Sequence, residues 1–134
     1  MDPSSINVWA IVVAALSSFL LGGLWYSPIL FARPWMVANG LSEEELKKTN
    51  PAKIFGPSLL LSLVMAANLA LFLGPAATAG FGLAAGAAAG FGWVAASTAI
   101  TYLFERKPMK LFLINGGYQA ITLTMMGGIL GAWH

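Results

Sequence analysis

Two segments of this largely apolar chain carry polar side chains at helical spacing. Within each segment the spacing places these side chains on one face of a helix. They are Ser97, Thr98, Thr101, Tyr102 and Glu105 in the first segment, and Asn115, Tyr118, Gln119 and Thr122 in the second. Such faces can line a pocket or a path for a neutral or weakly polar solute. They can also hold helices together, at roughly 0.6 to 2 kcal/mol per interhelical bond. The sequence leaves both interpretations open.

The residue types that most catalytic and metal sites need are scarce. The chain contains no cysteine, and its single histidine is His134, so neither a metal site nor a histidine-based triad is expected. No Asp or Glu falls inside the long apolar segments, which argues against a proton-coupled carboxylate. We therefore expect a protein that is not an enzyme and that uses no metal and no cofactor.

The overall composition indicates a membrane protein. Of the 134 residues, 58% are hydrophobic and only 9% are charged, and the mean hydropathy is +0.77. A soluble domain normally has roughly 25% charged residues. No basic patch with interleaved aromatic residues is present, so we expect no nucleic-acid partner. We expect membrane lipid to surround the protein.

Four long segments free of Asp, Glu, Lys and Arg are predicted to be membrane-spanning helices. They cover residues 6–30, 54–73, 79–104 and 111–133, and a hydrocarbon core needs about 20 helical residues. The fold class is therefore all-α, a transmembrane four-helix bundle, with residues 1–134 as a single domain. In the first connection, the S-x-x-E pattern of Ser42 and Glu45 predicts a short helix over residues 42–49.

The basic residues predict the orientation of these spans. All of them lie in the first and third connections: Arg33, Lys47, Lys48, Lys53, Arg106, Lys107 and Lys110. The positive-inside rule places these connections in the cytoplasm and both termini outside. Aromatic residues near the span ends, namely Trp9, Trp25, Tyr26, Trp35, Tyr102 and Trp133, are expected to anchor at the membrane interface.

Small residues recur every fourth position in the last two spans. They are Gly82, Gly86 and Gly90 in one span, and Gly127 and Gly131 in the next. Such faces let two helix backbones approach closely. We expect a homo-oligomer with the Gly82 face as its subunit contact; packing within one chain is the alternative.

The ends of the first and third spans resemble each other. Residues 30–36 and 103–109 both read L-F-x-R, then a proline, then a methionine. A parallel two-helix internal repeat would explain this likeness. Independent selection of an aromatic residue, an arginine and a helix-stopping proline would explain it equally simply.

Several motifs resemble a known family. They are Leu-Gly-Gly-Leu-Trp-Tyr-Ser-Pro at 21–28, Asn-Pro-Ala-Lys at 50–53 and Tyr-Leu-Phe-Glu-Arg-Lys-Pro at 102–108, and the likeness continues through Gly117-Tyr118 and residues 127–133. They resemble the small bacterial membrane proteins of domain of unknown function family 1761, over nearly the whole chain. The resemblance implies a four-span protein, and we expect it in a bacterial cytoplasmic (inner) membrane. It implies no activity.

Two functional hypotheses follow. The first is a small transporter or channel-like protein whose polar faces line a path for a small-molecule substrate, a neutral or weakly polar solute. The second is a non-transporting membrane component that binds lipid or a partner protein through its glycine-rich helix faces and its basic connections.

Overall fold

The computed structural model describes residues 6–133, and all of the regular secondary structure in that range is helical. The prediction of an all-α chain is therefore confirmed for these residues, whereas His134 lies outside them. The helices are α1 (Val8–Trp25), α2 (Ala32–Asn39), α3 (Glu43–Lys47), α4 (Pro51–Leu73), α5 (Ala79–Ala89), a π-helical segment (Gly90–Ala95), α6 (Ala96–Glu105) and α7 (Met109–Ala132). Because α5, the π-helical segment and α6 follow one another without a break, they form a single long helix, called α5–α6 below.

Within residues 6–133, three helices are long and apolar enough to cross a membrane. They are Val8–Trp25, Pro51–Leu73 and Ala79–Glu105, and they correspond to the first three predicted spans. The fourth predicted span coincides with α7, which at 24 residues is long enough but less apolar than the other three. The fold is thus compatible with a membrane protein.

Helix α1 ends at Trp25, earlier than the predicted span end at residue 30. Pro28 has no backbone N–H and disfavours helical backbone in the residue before it. The chain turns here instead: the Ser27 hydroxyl donates to the Leu24 carbonyl at 2.6 Å, and the Phe31 N–H donates to the Trp25 carbonyl. This turn brings α2 back towards α7.

Side-chain caps fix the starts of α3 and α4. The Ser42 hydroxyl accepts a hydrogen bond from the Glu45 N–H at 3.2 Å, so α3 begins at Glu43. The Asn50 side chain accepts from the Ala52 N–H at 3.0 Å, so α4 begins at Pro51 and takes in Lys53 before the predicted span start.

The two segments of the suggested internal repeat have different backbone conformations. Arg33 lies inside α2, whereas Arg106 follows the last residue of α6 in a left-handed conformation, with φ of 59°. The shared letters L-F-x-R therefore do not correspond to a shared local structure.

Helix α7 lies at the centre of the fold. It packs against α1, α4 and α5–α6, and its residues Leu123, Met126 and Leu130 belong to the main hydrophobic cluster. Small side chains such as Ala14 of α1 and Ala66 of α4 complete that cluster. The connection from α1 to α4 and the turn from α6 to α7 lie at one end of the helices, called the basic end because it carries every Lys and Arg of the chain.

Large apolar side chains face outwards, and several polar side chains face inwards. Leu20 is 78% exposed and Phe104 is 85% exposed, whereas Ser18 and Thr122 are 1% and 2% exposed. A water-soluble protein normally shows the reverse. Lipid around the helices would remove the cost of this arrangement.

Candidate functional site

The Asn115 side chain of α7 forms hydrogen bonds with two tyrosines from different parts of the chain. The Tyr26 hydroxyl, just after α1, donates to Asn115 Oδ1 at 2.7 Å. Asn115 Nδ2 donates to the Tyr102 hydroxyl of α6 at 2.8 Å. Both polar atoms of the amide are therefore bonded, as a partly buried amide requires.

Two further aromatic residues bond across helices beside Asn115. Trp25 Nε1 donates to the Ile114 carbonyl at 2.9 Å, and the Tyr118 hydroxyl donates to the Ser18 carbonyl at 2.8 Å. Gly117 leaves room for the indole, since a Cβ at that position would lie 3.3 Å from the Trp25 ring.

The rings pack mainly edge to face. The Tyr26 ring lies 5.3 Å from that of Tyr118 and 5.9 Å from that of Trp35, with interplanar angles of 65° and 72°, which is a favourable geometry for aromatic pairs. We call this group the aromatic–amide cluster; its members are Trp25, Tyr26, Trp35, Tyr102, Asn115 and Tyr118.

Trp25 and Tyr26 were not expected in this cluster. Their place near a span end had predicted a position at the membrane interface, where aromatic residues are common. A signal was nevertheless present: the pair directly precedes Ser27-Pro28 at a span end, at the same end of the helices as Asn115.

Most of the predicted polar face of α6 does not reach this cluster. The Ser97 hydroxyl donates to the Val94 carbonyl at 3.0 Å, and the Thr101 hydroxyl donates to the Ser97 carbonyl at 3.2 Å. Both residues are exposed, as is Glu105. Since Ser and Thr can bond a carbonyl of the preceding turn, these two need no partner on another helix.

A groove with a volume of about 1060 Å³ runs between α4 and α5–α6, with α7 as its floor. It is open along one side, and most of its lining is apolar. Thr98 and Gln119 from the two predicted polar faces line it, together with Asn68 of α4. We call it the lateral groove.

The polar groups of the lateral groove differ in their bonding. Asn68 Nδ2 already donates to the Val64 carbonyl of its own helix at 2.9 Å. In contrast to Asn115 and Tyr118, Gln119 forms no hydrogen bond with another group among residues 6–133. The half-buried Gln119 amide on the groove floor therefore retains both its donor and its acceptor capacity.

The π-helical segment forms part of the groove wall. Trp93 and Val94 of this segment line the groove, and Trp93 is 72% exposed. Short π-helical segments inside α-helices are rare and frequently lie at functional sites.

The glycine face of α5 packs against α7 of the same chain. A Cβ at Gly82 would collide with the Gly127 carbonyl, one at Gly86 with the Leu123 carbonyl, and one at Gly131 with the Thr78 carbonyl. Gly90 lies against Ala120 in the same way. In this chain α7 covers the Gly82 face, which is the alternative of packing within one chain; the expected homo-oligomer stays a prediction.

Thr122, the last predicted polar residue, lies one turn after Tyr118 on α7. Thr122 is buried, and its hydroxyl has no hydrogen-bond partner within the described part of the chain. In residues 6–133, no three His, Cys, Asp or Glu side chains come together as a candidate metal site.

Comparison with known proteins adds a family and no activity. The model of the family described as "Protein of unknown function (DUF1761)" matches residues 9–131, a range that includes the aromatic–amide cluster and the lateral groove. No curated protein and no solved structure matches the chain significantly. The resemblance noted from the motifs is thereby confirmed, and the chain belongs to the DUF1761 family of proteins of unknown function.

Proposed function

We propose that this is a four-span membrane protein whose lateral groove binds a small molecule that enters from the lipid bilayer. The observation that carries the proposal is the groove itself. Its volume of about 1060 Å³ is at the upper end of ligand sites, its walls are apolar, and the free amide of Gln119 lies on its floor.

The proposal of four spans rests on the packing of α7. At 24 residues this helix would be about 36 Å long, enough for a hydrocarbon core of about 30 Å. Gly127 and Gly131 of this helix pack against α5, and the Asn115 amide bonds Tyr26 and Tyr102, so these groups lower its hydropathy without facing lipid. The basic end would then lie in the cytoplasm and both termini outside, in a bacterial inner membrane.

The hydrogen bonds favour entry from lipid over a water-filled path through the chain. Asn115, Tyr102 and Tyr118, which could have lined such a path, bond across helices instead. A binding role is also favoured over catalysis, because none of the described residues that line the lateral groove is ionisable. A transport activity for a neutral or weakly polar solute would use this same groove.

Site-directed spin labelling can test whether the groove opens to lipid. The chain has no cysteine, so Ala88→Cys would place a single nitroxide in the groove. In phospholipid nanodiscs we expect strong relaxation of this nitroxide by molecular oxygen, which concentrates in lipid, and weak relaxation by a water-soluble nickel chelate.

Two matched labels calibrate the result. Ala96→Cys, exposed on the same long helix outside the groove lining, should behave as a lipid-facing position. Thr49→Cys, in the connection before α4, should be reached by the nickel chelate. If the chelate relaxed Ala88→Cys as strongly as Thr49→Cys, a water-filled path would replace the proposed groove.

A further inference from the structure

We propose that the ligand of the lateral groove is a neutral lipid, with a small uncharged head that carries hydroxyl or carbonyl groups and a long hydrocarbon body. Its head would lie against Thr98 and Gln119, and its hydrocarbon would extend towards Phe81. This inference rests on the proposed function, because it names the class of molecule that the groove binds.

The two polar groups proposed to contact the head, those of Thr98 and Gln119, lie at the same level of the groove. The bond between Tyr102 and Asn115 fixes the register of the antiparallel helices α6 and α7. Thr98 lies one turn before Tyr102, and Gln119 lies one turn after Asn115. Both therefore lie at the same level, towards the basic end of the groove.

The rest of the groove lining is long and mostly apolar. From Thr98 to Phe81 the wall of α5–α6 extends for about 25 Å at 1.5 Å per residue. Phe72 and Phe81 line the far part of the groove. Between the two ends, the polar groups among the described lining residues are the Asn68 amide, whose nitrogen bonds its own helix, and the indole N–H of Trp93. The groove thus offers Thr98 and Gln119 together at one end and mostly apolar contacts along the rest.

The described residues that line the groove carry no charge. In the described part of the chain, no Lys, Arg, Asp or Glu lines the groove, and an unpaired charge in an apolar site is strongly unfavourable. The Gln119 amide can donate to a carbonyl and accept from a hydroxyl. A neutral head with both groups satisfies it, whereas a phosphate would need a cation that the groove does not supply.

Photolabelling with two matched lipids tests the head group. The probes are a diacylglycerol and a phosphatidic acid with identical chains, each with a diazirine near the end of one chain, in nanodiscs of phosphatidylcholine. Mass spectrometry of the labelled peptides gives the sites. We expect the diacylglycerol probe to label residues near Phe72 and Phe81 at least about fivefold more than the phosphatidic acid, since one net hydrogen bond changes affinity by about this factor.

Four variants make the outcome specific. Gln119→Leu should reduce diacylglycerol labelling by about fivefold, whereas Ser97→Ala, whose hydroxyl bonds its own helix, should leave it unchanged. Ala88→Phe should narrow the groove between Thr98 and Phe81 and strongly reduce labelling near Phe81, whereas Ala96→Phe, outside the groove lining, should not.

The possible failures are distinguishable. If Ala88→Phe blocked the labelling but both probes labelled equally and Gln119→Leu had no effect, the head-group inference would be overturned and the proposed function would stand. Chain-end labelling near Gln119 instead of Phe81 would overturn the orientation. If no labelling responded to Ala88→Phe, the proposed function itself would fail.

Discussion

Asn115 shows how one amide can hold three parts of the chain together. Its oxygen accepts from Tyr26 and its nitrogen donates to Tyr102, so α7 is joined to the end of α1 and to α6. In lipid such a bond has no competing water, although measured contributions remain modest. The geometry gives Asn115 a structural role, whereas Gln119, one turn further along α7, is the residue that we propose to contact the ligand.

We expect Asn115→Leu to lower the free energy of unfolding by about 1 to 3 kcal/mol, because it removes two hydrogen bonds and leaves two phenols without their partner. Reversible unfolding in detergent micelles, followed by circular dichroism, measures this change. Ser97→Ala is the control and should shift stability by less than about 0.5 kcal/mol. A loss for Asn115→Leu no larger than that of the control would contradict the structural role.

Individual polar residues were recognisable in the sequence, but their partners were not. Helical spacing correctly grouped Asn115 with Tyr118, since both depend only on the regularity of α7. It could not show that Tyr26 reaches Asn115, because that contact depends on the turn after Trp25 and on the packing of α1 against α7. Nor could it show that Ser97 and Thr101 satisfy themselves within their own helix.

At the scale of elements, the closest approach is that of α5 to α7. Without side chains at Gly82, Gly86 and Gly127, carbonyl groups of one helix reach the backbone of the other. Close backbone contact of this kind is a common source of helix association in membranes.

Gly86→Ala should therefore destabilise the fold by about 1 to 3 kcal/mol, since the added methyl group would meet the Leu123 carbonyl and force the two helices apart. Gly80→Ala is the matched control on the same helix: the nearest atom to its Cβ is Thr78 Oγ1 at 4.0 Å. The control should be neutral or slightly stabilising, because alanine is the better helix former. Thermal unfolding of both variants in micelles compares them, and equal melting temperatures would argue against this packing.

The helices themselves were largely predictable, because long apolar segments without charges must satisfy their backbone groups internally. The ends of the helices were less predictable. Pro28 signalled a stop, but the prediction followed uncharged residues on to residue 30. The π-helical segment Gly90–Ala95 was not foreseen, because it changes the backbone bonding without leaving a polar or charged residue to mark it.

At the scale of the whole molecule, charge and apolar surface lie in different places. Every Lys and Arg is at the basic end, and the turn from α4 to α5 at the opposite end has no charged residue. A four-span arrangement places Thr49 and Ala76 on opposite sides of the membrane. Composition alone indicated lipid; which helix would be central required the packing.

Single-cysteine labelling of intact bacterial cells tests this arrangement. A membrane-impermeant maleimide should label Ala76→Cys, which is exposed in the α4–α5 turn, before lysis. It should label Thr49→Cys only after the cells are opened. The reverse pattern would invert the orientation, and labelling of both positions from outside would exclude an odd number of crossings between them.

The central position of α7 has a consequence for biogenesis. This helix is translated after the other three long helices, yet each of them packs against it, and α7 itself is less apolar than they are. A nascent chain that has not yet released α7 therefore leaves the glycine face of α5 and the phenol of Tyr26 without their partners. In the proposed four-span arrangement, the early helices would have to be sheltered, by the insertion machinery or by one another, until α7 is synthesised, and a ribosome stall before Met109 would leave them without it.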